Sequence, residues 1–92
     1  MKILWEMSAS TAFDQMPLHS RKAVTVAMHR LAQNNPVGRP ELKAVQGLPP
    51  FRGQPVKSLR VSNDLRALVA VTSDTVHVID LVRREQLHRL GG

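Results

Sequence analysis

The last third of the chain has the composition of β-strands, and the parity of its apolar positions restricts the fold more than any other feature. Three segments (56–61, 65–72 and 75–82) are rich in β-branched residues, and two short polar stretches, Ser62-Asn63-Asp64 and Ser73-Asp74, separate them. The pattern predicts three consecutive strands joined by tight turns. The third segment is almost continuously apolar, so we expect it to lie in the centre of a sheet.

The register of the first hairpin follows from which residues must share a face. With a three-residue connection, Arg60 pairs with Arg66, and one face of the hairpin is wholly apolar. A two-residue connection would place Arg66 opposite Leu59 and disrupt that face, because a slip of one residue moves every side chain to the other side of the sheet. We therefore predict the three-residue register, with Arg60 and Arg66 opposite each other on the open face. The apolar face comprises Leu59, Val61, Leu65, Ala67, Val69 and Val71.

The first third of the chain predicts a strand and two helices. Residues 2–6 favour a strand, and Thr11 with Asp14 matches a capping box at the start of a helix over about 9–16. Pro17 then suits the first turn of a second helix over about 17–34. We expect the two helices to form a hairpin that covers the apolar face of the sheet. The apolar positions of the second helix follow helical spacing and are Val24, Ala27, Met28 and Leu31.

Residues 35–55 predict a loop, because five of the six prolines fall there. A turn around Pro40–Lys43 is expected to interrupt it. The length of the loop favours a functional loop or one that grips a partner. Residues 83–90 predict a short basic terminal helix. The sequence as a whole predicts one α+β domain over residues 1–92, in the order β-α-α-β-β-β with a short C-terminal helix. In it, the helical hairpin packs on a small, mostly antiparallel sheet.

Charge indicates the class of partner. Thirteen Lys and Arg against seven Asp and Glu give a net charge of +6, and arginine outnumbers lysine. Since the planar guanidinium fits phosphate well, we expect an anionic partner, either a nucleic acid or an acidic protein. Three aromatic residues and no tyrosine argue against an open stacking platform for single strands.

Composition also excludes several classes of site. The chain has no cysteine, which excludes disulfide scaffolds, thiolate zinc sites and cysteine nucleophiles and fits a reducing cytosol. Its apolar runs are too short to span a membrane, and the first six residues, MKILWE, meet a charge too soon for a signal peptide. The histidines and carboxylates lack metal-ligand spacing, so we expect no metal site. His77 alternates with valines and is expected to be a core or edge histidine.

The arginine pair on the open face needs an explanation, because like charges opposite each other destabilise a sheet by roughly 0.2–1 kcal/mol. One explanation is an anion held between Arg60 and Arg66, such as a phosphate that gains charge during transfer. The other is screening by Asp80 on the neighbouring strand, or simple solvation of two long side chains. The sequence leaves both open.

The terminal helix supplies a second basic group. Arg84 and His88 are four residues apart and share one helical face, and Arg83 precedes them. Positive neighbours favour the neutral imidazole, which can act as a base near pH 7. The alternative is a solvated helix whose basic residues only complement its dipole.

The segment from Val56 to Val69, VKSLRVSNDLRALV, resembles the centre of the RelE/ParE toxin superfamily. There, a strand with a Leu-Arg pair turns tightly into a strand with a second arginine. The other features agree in order: an opening strand, an Ala-Phe-Asp helix, a second helix started by proline, an Asn-Pro loop leading to Leu42-Lys43, and a terminal Arg-Arg-Glu cluster. The resemblance covers nearly the whole chain and implies a RelE/ParE-like fold.

The resemblance implies the toxin of a bacterial toxin–antitoxin system, acting in the cytoplasm. RelE-like members bind the ribosome and cut messenger RNA without a metal or cofactor, using the 2′-hydroxyl of the messenger as nucleophile. The implied partners are a cognate antitoxin, the ribosome and messenger RNA, and no membrane is implied.

Site residues carry over by position. Lys57 matches a basic strand residue that acts at the scissile phosphate, and Arg66 matches the arginine that stabilises the developing charge. Arg84, or Arg83, matches the arginine before the terminal motif, and His88 takes the place of a terminal Tyr or His. Further phosphate contacts are expected from Arg60, Arg83, Lys43 and Arg52.

Two other functions stay open. ParE-like members share the fold but poison DNA gyrase, and residues 35–40, NPVGRP, also resemble their loop. A third class binds a partner without catalysis.

Overall fold

The computed structural model of the protein describes residues 1–33 and 42–89, which form three helices and a five-stranded mixed sheet. The elements are β1 (Lys2–Trp5), α1 (Met7–Asp14), α2 (Leu18–Ala32), β2 (Leu42–Ala44), β3 (Lys57–Arg60), β4 (Leu65–Val71), β5 (Thr75–Arg83) and α3 (Arg84–Arg89). The strands lie in the order β1-β5-β4-β3-β2; β1 runs parallel to β5, and every other pair is antiparallel. The predicted α+β class is therefore confirmed. The middle strand is β4, and β5, which we expected in the centre, lies next to it as an interior strand between β1 and β4.

The predicted register of the β3–β4 hairpin is confirmed. Leu59 pairs with Ala67, and Arg60 pairs with Arg66. All six residues of the apolar face contribute to one core: Leu59, Ala67 and Val69 are buried, and Val61, Leu65 and Val71 pack against them. The helices cover this face, which we call the helical face, through Val24, Met28 and Leu31.

A bulge in β5 changes which residues of that strand reach the helical face. Leu68 of β4 pairs with Asp80, but the next residue, Val69, pairs with Val78, so Ile79 is the extra residue. Val76 and Val78 face the helices before the bulge, and Leu81 does so after it. The nearly continuous apolar pattern of this strand gave no signal for the bulge.

The opposite side of the sheet, which we call the second face, carries a core of its own and is only partly open. Val45, Val56, Leu68 and Leu87 form this core. The segment between β2 and β3 covers one part of the second face, and α3 docks on it through Leu87, which is 6% exposed. The expectation of a solvated second face is therefore wrong, except near Arg60 and Arg66. Leu48, Phe51, Ile79 and Val82 pack against this core.

His77 is buried on the second face, as predicted for a core histidine. Its ring lies 5.3 Å from that of Phe51, centroid to centroid. Phe51 begins a tight turn in which Arg52 and Gly53 both have positive φ, as in a type I′ hairpin turn. This turn holds the loop over the second face.

Two local predictions were wrong. The first helix begins at Met7, so Thr11 lies inside it and no capping box forms; Glu6, at the N-cap, makes no side-chain cap. Leu42 and Lys43 belong to a short strand rather than a turn, because Leu42 pairs with Leu59 across the sheet. The remaining residues of the predicted turn and the stretch that resembles ParE lie within 34–41, outside the described residues.

Candidate functional site

A cleft of about 380 Å³ opens on the second face, where the arginine pair meets the terminal helix. Four cations and one histidine line it, and they come from β2, β3, β4 and α3. Its lining residues are Lys43, Ala44, Ser58, Arg60, Asn63, Arg66, Arg84, Leu87 and His88.

Strand alternation places the sheet residues in the cleft. Ser58 and Arg60 are two residues apart on β3, so they project to the same side of the sheet. Lys43 pairs with Ser58, and Arg66 pairs with Arg60, so both neighbouring strands add a cation on that side.

Two contacts fix the terminal helix beside these residues. The buried side chain of Leu87 anchors the helix to the second face. The backbone N–H of Arg84 donates a hydrogen bond of 2.7 Å to the carbonyl oxygen of Asp64, which joins the start of α3 to the β3–β4 turn. Arg84 and His88, four residues apart, therefore both border the cleft.

Arg66 is held by the backbone of the β3–β4 turn. Its Nη1 donates to the carbonyl oxygens of Ser62 at 2.6 Å and of Leu65 at 3.1 Å. Burial lowers the pKa of Arg66, and the positive charges of Arg60 and Arg84 lower it further, while Asp64 acts in the opposite direction. An arginine stays protonated at neutral pH in spite of such shifts. The cleft therefore holds several positive charges close together. A bound anion would reduce the repulsion among them.

Asp80 is not the carboxylate that acts on the arginine pair. It lies opposite Leu68, and its Oδ1 accepts a hydrogen bond of 2.8 Å from the N–H of Leu81. The opposing negative charge at Arg66 comes from Asp64. Of the two explanations that the sequence left open, screening by Asp80 loses its support.

Five of the predicted site residues come together in this cleft: Lys43, Arg60, Arg66, Arg84 and His88. Arg83 lies beside it, in an adjoining cavity of about 480 Å³ that shares Arg84 and His88 with the cleft. The carboxylates of Asp64 and Glu85 also line that second cavity.

Two predicted residues lie elsewhere. Lys57 pairs with Val69 and shares its side of β3 with Leu59, so it is on the helical face, opposite to the cleft. Arg52 is exposed at the tip of the 51–54 turn, where its guanidinium carbon lies 5.4 Å from the centre of the Phe51 ring. The structure brings neither residue to the arginine pair.

Sequence reasoning missed two polar residues of the cleft, besides the apolar Ala44 and Leu87. Ser58, which is 7% exposed, was detectable, because it shares parity with Arg60 along β3. Asn63 lies in the turn, and its Oδ1 accepts a hydrogen bond from Nη2 of Arg60. Nothing in the local sequence pattern distinguishes that role from an ordinary turn asparagine.

A metal site and a membrane-spanning helix are both absent from residues 1–33 and 42–89. No three His, Cys, Asp or Glu side chains of this part are arranged to hold a metal ion. None of its helices is both long enough and apolar enough to cross a membrane.

Comparison with protein-family models and with curated proteins finds no match, whereas comparison with solved structures does. A chain of the RelB-RelE antitoxin-toxin complex from Methanococcus jannaschii superposes with a TM-score of 0.65 at 17% identity, covering 92% of this chain and 94% of that one. For the archaeal RelE-RelB complex from Pyrococcus horikoshii OT3, the TM-score is 0.67 at 15% identity, with 90% and 93% covered.

A third similar structure is the YoeB/ParE toxin from Agrobacterium tumefaciens, with a TM-score of 0.63 at 16% identity over 91% of this chain and 99% of that one. Similarity at such low sequence identity supports a shared fold and not a shared activity. The α+β arrangement of three helices and a five-stranded mixed sheet in the described residues is therefore that of a RelE-like toxin fold.

Proposed function

We propose that this chain is the toxin of a toxin–antitoxin pair and that it cleaves messenger RNA on the ribosome. The observation that carries the proposal is the cleft in which three arginines, a lysine and a histidine converge. The RelE-like fold supports the toxin role, since solved structures with this fold include antitoxin-toxin complexes.

The proposed reaction is an internal transfer of the phosphate. The 2′-oxygen of the messenger forms a bond to the adjacent phosphorus and loses its proton to a base. The bond from phosphorus to the 5′-oxygen breaks, and that oxygen takes a proton from an acid. The products are a 2′,3′-cyclic phosphate and a 5′-hydroxyl end, and negative charge accumulates on the phosphoryl oxygens between these two events.

The cleft residues suit these demands. Arg66 is already oriented by the turn carbonyls, so it needs no reorganisation to stabilise the developing charge. His88 supplies an imidazole, the side-chain group best suited to take up or release a proton near neutral pH. Lys43, Arg60 and Arg84 are placed to bind the phosphates of the strand.

The same positive charge defines the partners. We infer a cytoplasmic setting with the ribosome and messenger RNA as target, and an acidic antitoxin segment that covers the arginines. Such a segment would fold on binding and use electrostatic complementarity for recognition.

Cleavage of a defined messenger in a purified translation system tests the proposal. We expect cuts that depend on ribosomes, mapped by primer extension, with 5′-hydroxyl ends and no requirement for added metal beyond that of the ribosome. The double variant Arg66→Ala/His88→Ala is the matched control and should leave the messenger intact while still co-sedimenting with ribosomes. If the unmodified chain leaves the messenger intact under these conditions, the nuclease proposal fails, and DNA-damage signalling on expression would then favour a gyrase target.

A further inference from the structure

We propose that Asn63 is a positioning residue that keeps the guanidinium of Arg60 in the cleft, opposite Arg66. The two residues are joined by a hydrogen bond from Nη2 of Arg60 to Oδ1 of Asn63, and both line the cleft. The inference deepens the proposed function and rests on it for its consequence in catalysis, although the positioning itself is a property of the chain alone.

Arg60 needs a holding contact because its side chain is exposed and borders two different cavities. One is the cleft; the other is a groove of about 350 Å³ between α2 and β3, lined by Val26, Val61 and other residues of these elements. An exposed arginine has many accessible rotamers, and fixing them costs free energy. Without a partner, its guanidinium would spend much of its time outside the cleft.

Repulsion adds to this tendency. Arg60 lies directly across the hairpin from Arg66, and its charge is one of the causes that lower the pKa of Arg66. Like charges placed opposite each other on a sheet push their side chains apart. A bond to the turn is what opposes that repulsion on the Arg60 side.

The two arginines are held by different kinds of acceptor. Arg66 donates to main-chain carbonyl oxygens, including that of Asn63 at 3.3 Å, and a substitution at position 63 keeps this carbonyl. Arg60 donates to a side-chain amide, so its placement depends on the residue at position 63. This difference predicts that a change at Asn63 frees Arg60 and leaves Arg66 in place.

An amide also suits the chemistry better than a carboxylate. Oδ1 of Asn63 is a neutral acceptor, so it fixes Arg60 without cancelling the positive charge that would bind a phosphate. An aspartate at this position would hold the arginine by a stronger, charge-assisted bond but would subtract one charge from the cleft. Asn63→Asp therefore separates positioning from charge.

The first experiment observes Arg60 directly. The side-chain Nε–H signals of Arg60 and Arg66 are followed by NMR in the unmodified chain and in Asn63→Ala, Asn63→Asp and Ser73→Ala, an exposed residue of the β4–β5 turn that serves as the matched control. We expect Asn63→Ala to mobilise Arg60 alone and Asn63→Asp to restore its order. Asn63 does not have a positive φ, so alanine fits the backbone there. Unchanged Arg60 order in Asn63→Ala would overturn the proposal.

The second experiment measures the consequence, with inorganic phosphate as the probe. Asn63→Ala should weaken phosphate binding by about 3- to 10-fold, the range expected when an ordinary hydrogen bond at an exposed site is lost. In an Arg60→Ala background the same change should have no effect, because Asn63 acts through Arg60. An equal loss in both backgrounds would show a general structural role instead and would refute positioning.

Messenger cleavage completes the test. If the chain is a nuclease, Asn63→Ala should raise the concentration needed for half-maximal cleavage more than it lowers the maximal rate. If the chain proves inactive on messenger, the proposed function fails, while the NMR and phosphate measurements still decide whether Asn63 positions Arg60.

Discussion

Replacing Arg66 with alanine removes the best-positioned cation of the cleft. The side chain lies on the second face, and the two protons of its Nη1 are shared among the carbonyl oxygens of Ser62, Asn63 and Leu65. These exposed or partly buried bonds each contribute about 0.5–1.5 kcal/mol to stability. Their loss is offset in part by relief of the repulsion from Arg60, worth roughly 0.2–1 kcal/mol. Because two protons make at most two full hydrogen bonds, we expect the free energy of unfolding to fall by up to about 3 kcal/mol, which leaves the fold intact.

The effect on chemistry should be much larger than the effect on stability. Losing one preorganised electrostatic stabiliser lowers the rate by about 100- to 1,000-fold. Arg66→Lys keeps the charge but loses the planar donor pair, so it should recover only part of the rate. Arg89→Ala, which removes an exposed charge from the last turn of α3, is the matched control and should cleave at nearly the unmodified rate.

Single-turnover cleavage of a ribosome-bound messenger measures the rate, and co-sedimentation with ribosomes measures binding separately. Arg66→Ala should bind, because Lys43, Arg60 and Arg84 remain in the cleft. A folded, ribosome-bound Arg66→Ala variant that cleaves within threefold of the unmodified rate would refute the role of this arginine.

Three further changes test other parts of the site. His88→Ala should slow single-turnover cleavage by about 100- to 10,000-fold if it transfers a proton, with ribosome co-sedimentation unchanged; a pH–rate profile identical to that of the unmodified chain would contradict this role. Leu87→Ala should lower the free energy of unfolding, measured by urea denaturation, by about 2–5 kcal/mol, because it empties a buried position and detaches α3 from the second face. A change below 1 kcal/mol would show that this leucine does not anchor the helix. Lys43→Ala should weaken ribosome binding and make that binding less dependent on salt concentration. Lys57→Ala should change neither the affinity nor its salt dependence, because Lys57 lies on the helical face. The reverse result would contradict the placement of these two lysines.

The local sequence was sufficient for the hairpin that carries the arginine pair. Alternation has a period of two, and only one register leaves Leu59 and Ala67 together on an apolar face, so burial and pairing give the same answer. The same rule, applied to β3, also separates Lys57 from Arg60. The family resemblance put Lys57 at the phosphate; the strand parity in the structure places it on the other side of the sheet.

Other local features were decided by contacts that the sequence does not display. The start of α1 at Met7 is not marked by a side-chain cap, so the capping pattern at Thr11 was misleading. The short strand β2 exists because Leu42 pairs with Leu59, a partner seventeen positions away along the chain. The bulge at Ile79 is hidden in a segment where nearly every residue is apolar and either parity would bury equally well.

By itself, the sequence determined the α+β class, the two helices, the register of the β3–β4 hairpin and the basic character of the site, because each depends on periodicity or charge over a few residues. Only the tertiary structure decided which cations share one cleft. That assembly requires β2 to add Lys43 beside β3, and it requires Leu87 to dock α3 so that Arg84 and His88 reach the arginine pair. These contacts join residues at least fifteen positions apart, and packing of apolar surface rather than local preference holds them together.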